Sequence, residues 1–222
     1  MGDYGVFIIV TVLWVFSVCL HEFGHALVAY YGGDHTVKEK GYLTLNPIHY
    51  AHPVYSLLMP VVFLFIGGIG LPGGAVYINH HLLRSKRWET CVSLAGVVMQ
   101  LPLILWIVAA FKFGWVNGEP DNLASVSLAM LLQLEICSIL LNLLPIPPLD
   151  GFQAIAPWLP WHIRERMFAM SGQTIWILFI LFWVIEPFNR AFWSVVFTLS
   201  YWLGIDPLLG ITGWQLFRFW EI

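Results

Sequence analysis

The chain alternates between long apolar segments and short polar ones. A helix needs about 20 apolar residues to cross the hydrocarbon core of a bilayer. Three segments reach this length, from about Val6 to Tyr31, from Cys91 to Phe111 and from Leu123 to Leu144. The pattern therefore predicts a transmembrane helix at each of these positions.

The C-terminal third is also apolar, but it is interrupted. Between Thr174 and Ile205 the apolar pattern breaks at Glu186-Pro187. Proline removes a helical hydrogen bond and clashes with the preceding turn, so two short helices are expected here. The C-terminal helices span about 172–222, and the whole chain is predicted to have about five to six transmembrane helices.

Two further segments do not read as simple spans. The apolar segment at about 53–74 is interrupted by Pro60 and ends in glycines, which favours a re-entrant or interfacial segment. The segment at about 41–53 alternates apolar and polar residues, as a strand does. We therefore expect a short strand-like stretch inside an otherwise helical protein.

Composition narrows the class of protein. Of the 222 residues, 59% are hydrophobic and only 10% are charged, whereas a soluble domain carries about 25% charged residues. The fold class expected is an all-α polytopic membrane protein, embedded in the lipid bilayer as a single domain, 1–222. A net charge of −3 excludes nucleic-acid binding driven by phosphate neutralisation. The oligomeric state is left open.

A candidate metal-binding motif, formed by His21, Glu22 and His25, lies at the end of the first apolar segment. Positions i and i+4 share one helix face, so both imidazoles can reach one metal ion, and Glu22 can take a proton from a water on that metal. Ionisable groups inside a membrane are rare and usually functional. The pattern predicts one Zn²⁺ per chain, and the alternative is a chance match with two hydrogen-bonded histidines.

A catalytic zinc ion normally has three protein ligands and one open position. The best candidate for the third ligand is Asp150, in the segment NLLPIPPLDGF from Asn142 to Phe152. Prolines break the helix there, and such backbone is tolerated at membrane depth only where it is buried in protein or lines a wet cavity. The alternative is an ordinary polar turn at the end of a helix.

A shared zinc site constrains the topology. His25 lies near the end of one helix and Asp150 follows the end of another, so an even number of crossings must separate them. The two clean spans supply two crossings, and 53–74 should therefore not cross. In this topology the basic residues lie on the metal side of the membrane and the acidic residues lie on the opposite side: Arg84, Lys86, Arg87, Arg164 and Arg166 against Asp3, Glu119 and Asp121. The positive-inside rule then predicts that the active site faces the cytoplasm.

The two motifs together resemble the site-2 protease family of intramembrane zinc metalloproteases, peptidase family M50. HExxH precedes N-x-x-P-x-P-x-x-D-G, as in that family. The sequence between them resembles a compact subgroup without PDZ or other appended domains, in the motifs GYLTLNPIHYAHP, VYIN, RSKRWE and SLAG. The similarity covers about Phe7 to Gly151, which gives a catalytic core of about 6–152. The chain departs from the family pattern at four positions: Val97, Gln100, His52 and Phe152.

The resemblance implies an intramembrane zinc endopeptidase that hydrolyses peptide bonds of transmembrane protein substrates. It makes His21, His25 and Asp150 the zinc ligands and Glu22 the general base. Asn142 would hydrogen-bond the substrate or the developing oxyanion. The alternative is a non-catalytic membrane scaffold or metal transporter with the same ligands, for which Glu22 has no use.

Several polar residues remain undecided at this point. Glu135 can line a water path to the metal, or it can pair with Gln133, Gln100 or a hydroxyl group. The stretch 41–53 can hold a substrate as a strand, or it can be a structural hairpin. His49, His52, His80 and His81 can contact a substrate or a second metal, or they can lie at the membrane interface.

Overall fold

The computed structural model describes residues 4–46 and 76–219, and the regular secondary structure in these ranges is helical. In chain order the helices are α1 (Gly5–Gly32), α2 (Thr36–Glu39), α3 (Lys86–Lys112), α4 (Leu123–Asn142), α5 (Asp150–Ile155), α6 (Trp161–Ala169), α7 (Ser171–Trp183), α8 (Glu186–Trp202) and α9 (Pro207–Phe217), with 3-10 turns at His80–Leu82 and Ala156–Trp158.

The three long helices are those that the apolar pattern predicts. By length and composition, α1, α3 and α4 can each cross a membrane. Local signals set their ends: Gly33 takes a positive φ of 121° after α1, a conformation that favours glycine. The Asn122 side chain caps α4 by accepting from the amides of Ala124 and Ser125.

Helix α4 lies at the centre of the bundle. In its most apolar window 78% of the residues are buried, against 44% in α1 and in α3. Helices α1 and α3 pack along each other, and a Cβ added at Gly24 would lie 2.6 Å from the carbonyl oxygen of Ala95. Small residues permit such close approach of helices within membranes. The first three spans therefore form one packed unit.

The C-terminal helices are shorter and bent. Helix α7 ends at Trp183 and α8 begins at Glu186, with Pro187 in its first turn, so the break predicted there is confirmed. Helices α6 and α7 meet at a bend of 54°, and α8 and α9 at a bend of 120°. Across the described residues there are three candidate spans, or up to five if each bent pair counts as one. The described residues do not support an exact count of five to six spans.

Helix α9 packs directly on α4. A Cβ added at Gly210 would meet the side-chain amide of Gln133, and one added at Gly213 would meet the carbonyl oxygen of Val126. The Gln133 Nε2 donates to the carbonyl oxygen of Pro207 at 2.9 Å. This hydrogen bond fixes the start of α9 against the middle of α4.

The prediction of a strand-like stretch is not supported in the part of 41–53 that the structure describes. Residues 41–46 form turns, with a positive φ of 76° at Gly41 and a hydrogen bond of 3.1 Å from the amide of Asn46 to Thr44 Oγ1. Such local side-chain bonds compete with strand pairing. The rest of that stretch, and the segment predicted to be re-entrant at 53–74, lie outside the described residues.

The described flanks of 47–75 lie at the same end of the bundle. The amide of Arg84 donates to the carbonyl oxygen of Gly32 at 2.9 Å, at the end of α1. The fully buried carboxylate of Asp34 accepts from the amide of Asn79 at 2.7 Å and from the hydroxyl of Thr36 at 2.6 Å. Helix α3 therefore begins beside the place where α1 ends.

Candidate metal centre

Three side chains predicted as metal ligands meet at one point in the interior. His21 and His25 stand one turn apart on α1, and their Nε2 atoms are 3.0 Å apart. The Oδ2 atom of Asp150 lies 3.1 Å from His21 Nε2 and 3.5 Å from His25 Nε2. All three residues are buried, and they form a cluster able to hold a metal ion.

The spacing of these atoms matches a tetrahedral zinc site. Zinc bonds of about 2.0–2.1 Å to nitrogen and oxygen place neighbouring ligand atoms of a tetrahedron about 3.3 Å apart. The three measured separations, 3.0, 3.1 and 3.5 Å, straddle this value. Two imidazoles and a carboxylate are also a ligand set that catalytic zinc uses, so the residues present fit the metal.

Gly96 on α3 keeps the space beside the two ring nitrogens open. A Cβ at this position would lie 2.5 Å from His25 Nε2 and 2.6 Å from His21 Nε2. A methyl group there would occupy the region that the ligand atoms face. A glycine at this point is therefore part of the fit between the cluster and a metal ion.

The remaining ring nitrogens are held by hydrogen bonds that orient the imidazoles. His25 Nδ1 donates to the carbonyl oxygen of Val92 at 2.7 Å. His21 Nδ1 lies 3.2 Å from the side-chain oxygen Oε1 of Gln100. Since both partners are acceptors, each Nδ1 carries the proton and each Nε2 lone pair faces the cluster. This outer shell is the usual one for metal-bound histidines.

Asp150 reaches the histidines because the chain turns sharply after α4. A Cβ added at Gly151 would meet the backbone carbonyls of Leu143 and Leu144, so the turn leaves no room for a side chain there. Asp150 is the first residue of α5. Burial raises the pKa of its carboxyl, but the two adjacent imidazoles outweigh burial and hold the pKa below its usual range.

Glu22 lies in the same cavity and outside the ligand cluster. The cavity has a volume of about 310 Å³ and is lined by both histidines, Glu22, Asn142 and Asp150. The Oε2 atom of Glu22 accepts from the amide of Val76 at 3.2 Å, which fixes the carboxylate against the segment Val76–Asn79.

Asn142 is the last residue of α4 and is 2% exposed. Its Nδ2 has no hydrogen-bond partner among the described residues. A buried amide without a partner is costly, and this one lies on the wall of the cavity that contains the metal cluster. The site therefore contains a hydrogen-bond donor that a bound molecule can use.

His80 also lines the cavity. Its Nδ1 lies 3.7 Å from Glu89 Oε2, which in turn lies 3.6 Å from Arg164 Nη2. Burial lowers the pKa of the His80 imidazole. Of the histidines left undecided by the sequence, His80 lies beside the metal cluster, whereas His49 and His52 lie outside the described residues.

The structure brings all five predicted site residues to one cavity, and their individual roles stay predictions. Glu135 is the undecided residue that the structure resolves, because its Oε2 accepts from Gln100 Nε2 at 3.1 Å and from Ser17 Oγ at 2.7 Å. Sequence reasoning missed the contact of Gln100 with His21. The signal available was that Gln100 stands where the family pattern has asparagine.

A buried pair of histidines with a carboxylate, inside a bundle of apolar helices, forms a candidate metal centre of the kind that supports hydrolysis in metalloenzymes. Curated relatives agree with this class. The chain is 40% identical over 218 residues to a protein of Mycolicibacterium smegmatis and 40% identical over 221 residues to one of Mycobacterium tuberculosis, both named "Putative zinc metalloprotease Rip2". The matches cover 98% of this chain and 82% and 83% of the relatives.

A Bacillus subtilis protein named "Putative zinc metalloprotease YwhC" is 30% identical over 175 residues, which is 76% of this chain and 77% of that protein. No family model and no solved structure matches the chain. The chain belongs to the family of these zinc metalloproteases. This membership confirms the predictions of a membrane zinc protease and of Zn²⁺ as the cofactor.

Proposed function

We propose that the chain is an intramembrane zinc endopeptidase of the site-2 protease type, with His21, His25 and Asp150 as ligands of one Zn²⁺ and Glu22 as the general base. One observation carries the proposal: three ligand atoms converge at tetrahedral spacing in a buried cavity that also contains the Glu22 carboxylate. The substrates are transmembrane proteins cut within or near the membrane, as in regulated intramembrane proteolysis.

The chemistry divides between the metal and the chain. A zinc ion bound here would polarise the scissile carbonyl group and lower the pKa of a water molecule, so that this water can be deprotonated near neutral pH. Glu22 accepts the proton of the attacking water and passes it to the leaving nitrogen. The hydrogen bond from the Val76 amide to one carboxylate oxygen of Glu22 leaves the other oxygen for this transfer.

Asn142 is the candidate for stabilising the charge that develops on the carbonyl oxygen. Its Nδ2 lines the cavity without a partner among the described residues. Donors placed in advance at such a position, away from bulk water, stabilise transition states strongly. Asn142 would make this hydrogen bond to the substrate carbonyl or to the neighbouring substrate backbone.

The substrate must be extended at the cleavage point, because the carbonyls of a helix are already hydrogen-bonded. The segment Val76–Asn79, which has no regular secondary structure, is the candidate partner for such a substrate. Val76 and Ile78 line the cavity, and the backbone groups of Ile78 have no hydrogen bond to the described residues. The segment is held from its other side by Lys40 Nζ, which donates to the carbonyl oxygen of Tyr77 at 3.1 Å. An unwound substrate can pair with Ile78 as an added strand.

The compact, single-domain organisation and the cytoplasmic orientation are part of the same proposal. The basic residues Arg84 and Arg164 lie at the metal end of the bundle, where Arg84 contacts the end of α1 and Arg164 lies near Glu89 of α3. Glu119 lies in the connection between α3 and α4, at the opposite end. Since both flanks of 47–75 meet at the metal end, an even number of crossings between them is expected.

Cysteine labelling tests the orientation. In a chain without its native cysteines, Glu119→Cys should react with an impermeant reagent on intact cells, and Lys38→Cys should react only after the cells are opened. Labelling of Lys38→Cys from outside would place the metal centre on the other face of the membrane.

Glu22→Gln is the decisive test of function. The purified wild-type protein should contain one zinc per chain and cleave a transmembrane peptide substrate, and the variant should keep zinc and lose cleavage. Zinc analysis and peptide cleavage are measured on the same samples. A variant that still cleaves would show that the mechanism is wrong, and a wild-type protein that binds no zinc would show that the site is wrong.

Glu119→Gln is the matched control, because it makes the same chemical change in a loop remote from the cavity and should leave both measurements unchanged. The alternative of a scaffold or metal transporter predicts that Glu22→Gln has no effect on function, since Glu22 is not a ligand. The family to which the chain belongs does not favour that alternative.

A further inference from the structure

Glu135 is a buried carboxyl group to which the proposed reaction gives no role. It is fully buried in the middle of α4, inside an apolar bundle. Burying a carboxyl group there costs free energy unless its oxygens are hydrogen-bonded. It is not among the residues that line the described metal cavity. Its contacts, and not direct access to a substrate, must therefore explain its presence.

Those contacts lead from Glu135 to the metal cluster through a single side chain. Gln100 Nε2 donates to Glu135 Oε2 at 3.1 Å, and Ser17 Oγ donates to the same oxygen at 2.7 Å. The opposite end of the Gln100 amide, Oε1, lies 3.2 Å from His21 Nδ1. All of these residues are buried, and Gln100 is only 1% exposed. Water therefore does not compete for these hydrogen bonds.

The orientation of the Gln100 amide decides which nitrogen of His21 carries the proton. With Oε1 towards His21, Nδ1 is protonated and the Nε2 lone pair is available to a metal. With the amide reversed, the NH₂ group faces Nδ1, so His21 would carry its proton on Nε2 and could not be a ligand. As long as the Oε2 atom of Glu135 carries no proton it can only accept, so it excludes the reversed orientation, in which two acceptors would face each other.

We propose that Glu135 is a positioning residue for the metal centre: it holds the Gln100 amide so that His21 presents its unprotonated Nε2 to the ligand cluster. The inference rests on the proposed function, since it assumes that His21 is a zinc ligand. Glu135 makes no contact with the reacting groups and acts only through Gln100. The competing explanation is that Glu135 merely joins α1, α3 and α4, as any buried polar group can.

Glu135→Gln is the first test. The substitution keeps the shape of the side chain but supplies an NH₂ group, which permits both amides to reverse together. Outer-shell substitutions typically lower metal affinity 10–100-fold, and we expect about a 10-fold loss for this more distant residue. Zinc affinity is measured by chelator competition on the full-length protein in nanodiscs.

A double-mutant cycle with Gln100→Leu separates the two explanations. Gln100→Leu alone should lower zinc affinity 10–100-fold, because it removes the acceptor of His21 Nδ1. If Glu135 acts through Gln100, adding Glu135→Gln to this variant should cause no further loss. Losses that multiply in the double variant would overturn the proposal, because they would show that Glu135 acts independently of Gln100.

The tautomer of His21 gives a readout that a purely structural role would not change. In metal-free wild-type protein, ¹⁵N NMR of labelled histidine should show His21 protonated on Nδ1, and Glu135→Gln should populate the Nε2-protonated form. A wild-type spectrum dominated by the Nε2-protonated form would overturn the proposal without any variant, so the test survives a variant that does not fold.

Gln133→Leu is the matched control. Gln133 is also fully buried on α4, but it bonds to Pro207 on the other side of the helix, so zinc affinity and the His21 tautomer should stay as in the wild type. The two proposals fail differently. A wild-type protein without zinc overturns the proposed function, whereas zinc binding that is identical in wild type and Glu135→Gln overturns only the role of Glu135.

Discussion

Two fully buried polar side chains on α4 contact different parts of the protein. Gln133 and Glu135 are two residues apart, and about 100° of rotation per residue turns them to opposite sides of the helix. Gln133 bonds to the start of α9 at Pro207, whereas Glu135 bonds to Gln100, which bonds to His21. One side chain joins helices, and the other is connected to the metal centre.

The comparison shows that burial of a polar group within a membrane helix does not by itself mark a functional residue. Both side chains are fully buried, and each is hydrogen-bonded through one of its two polar atoms, Nε2 of Gln133 and Oε2 of Glu135, whereas the Oε1 atom of each has no partner among the described residues. Their partners distinguish them. The carbonyl group of Pro207 needs only a donor, which Gln133 supplies. The His21 imidazole, which Glu135 reaches through Gln100, needs an acceptor at one particular nitrogen, Nδ1. The same contrast recurs at two glycines, where it can be tested more sharply.

Gly96→Ala should have the larger effect on the metal. The added Cβ would meet the Nε2 atoms of His21 and His25, so the rings must turn away from the cluster. We expect zinc affinity to fall by more than about 100-fold, beyond the usual effect of an outer-shell change. The metal-free protein should lose little stability, because the atoms that must move are the ends of side chains and alanine favours a helix interior over glycine by up to about 1 kcal/mol.

Zinc binding by calorimetry and thermal unfolding with a chelator present would check this pair of results. Wild-type zinc affinity in Gly96→Ala would mean that the space between the ring nitrogens and α3 is not where the metal lies. A fall in the stability of the metal-free variant would instead assign Gly96 to helix packing.

Gly213→Ala should show the reverse pattern and a smaller effect. Its Cβ would meet the backbone oxygen of Val126, and Met130 Cβ at 2.8 Å, so α9 must move away from α4. Overpacking of this kind costs about 1–3 kcal/mol, which lowers the unfolding midpoint by a few degrees, about 2–4 °C for each kcal/mol in a chain of this size. Zinc affinity should remain that of the wild type. Loss of zinc here would show that packing of α9 is coupled to the site, contrary to the comparison.

The sequence predicted most of the site because its signals are local. The spacing of His21, Glu22 and His25 follows from helix geometry, and the prolines before Asp150 signal the break that brings this residue back. The three long spans and the break at Glu186 followed from apolar runs and one proline. In each case a few neighbouring residues contain the whole signal.

The rest depended on contacts between distant parts of the chain. The bond from Gln100 to His21 and the bond from the Val76 amide to Glu22 join residues that no local pattern relates. The alternation after Gly41 resembled a strand, but a strand requires a partner, and residues 41–46 satisfy their groups in turns instead. Pairing depends on the neighbour that the fold supplies, so alternation alone could not decide it.

The contact of Asp150 with the histidines also has a thermodynamic consequence. Helix α1 contributes two members of the cluster that could hold a metal ion, and the segment after α4 contributes the third, so an ion bound there would act as a cross-link between these two parts of the chain. A ligand that binds only the folded state stabilises it by about 4 kcal/mol when its free concentration is 1,000 times its dissociation constant. The heat resistance of the protein should therefore rise and fall with the zinc supply.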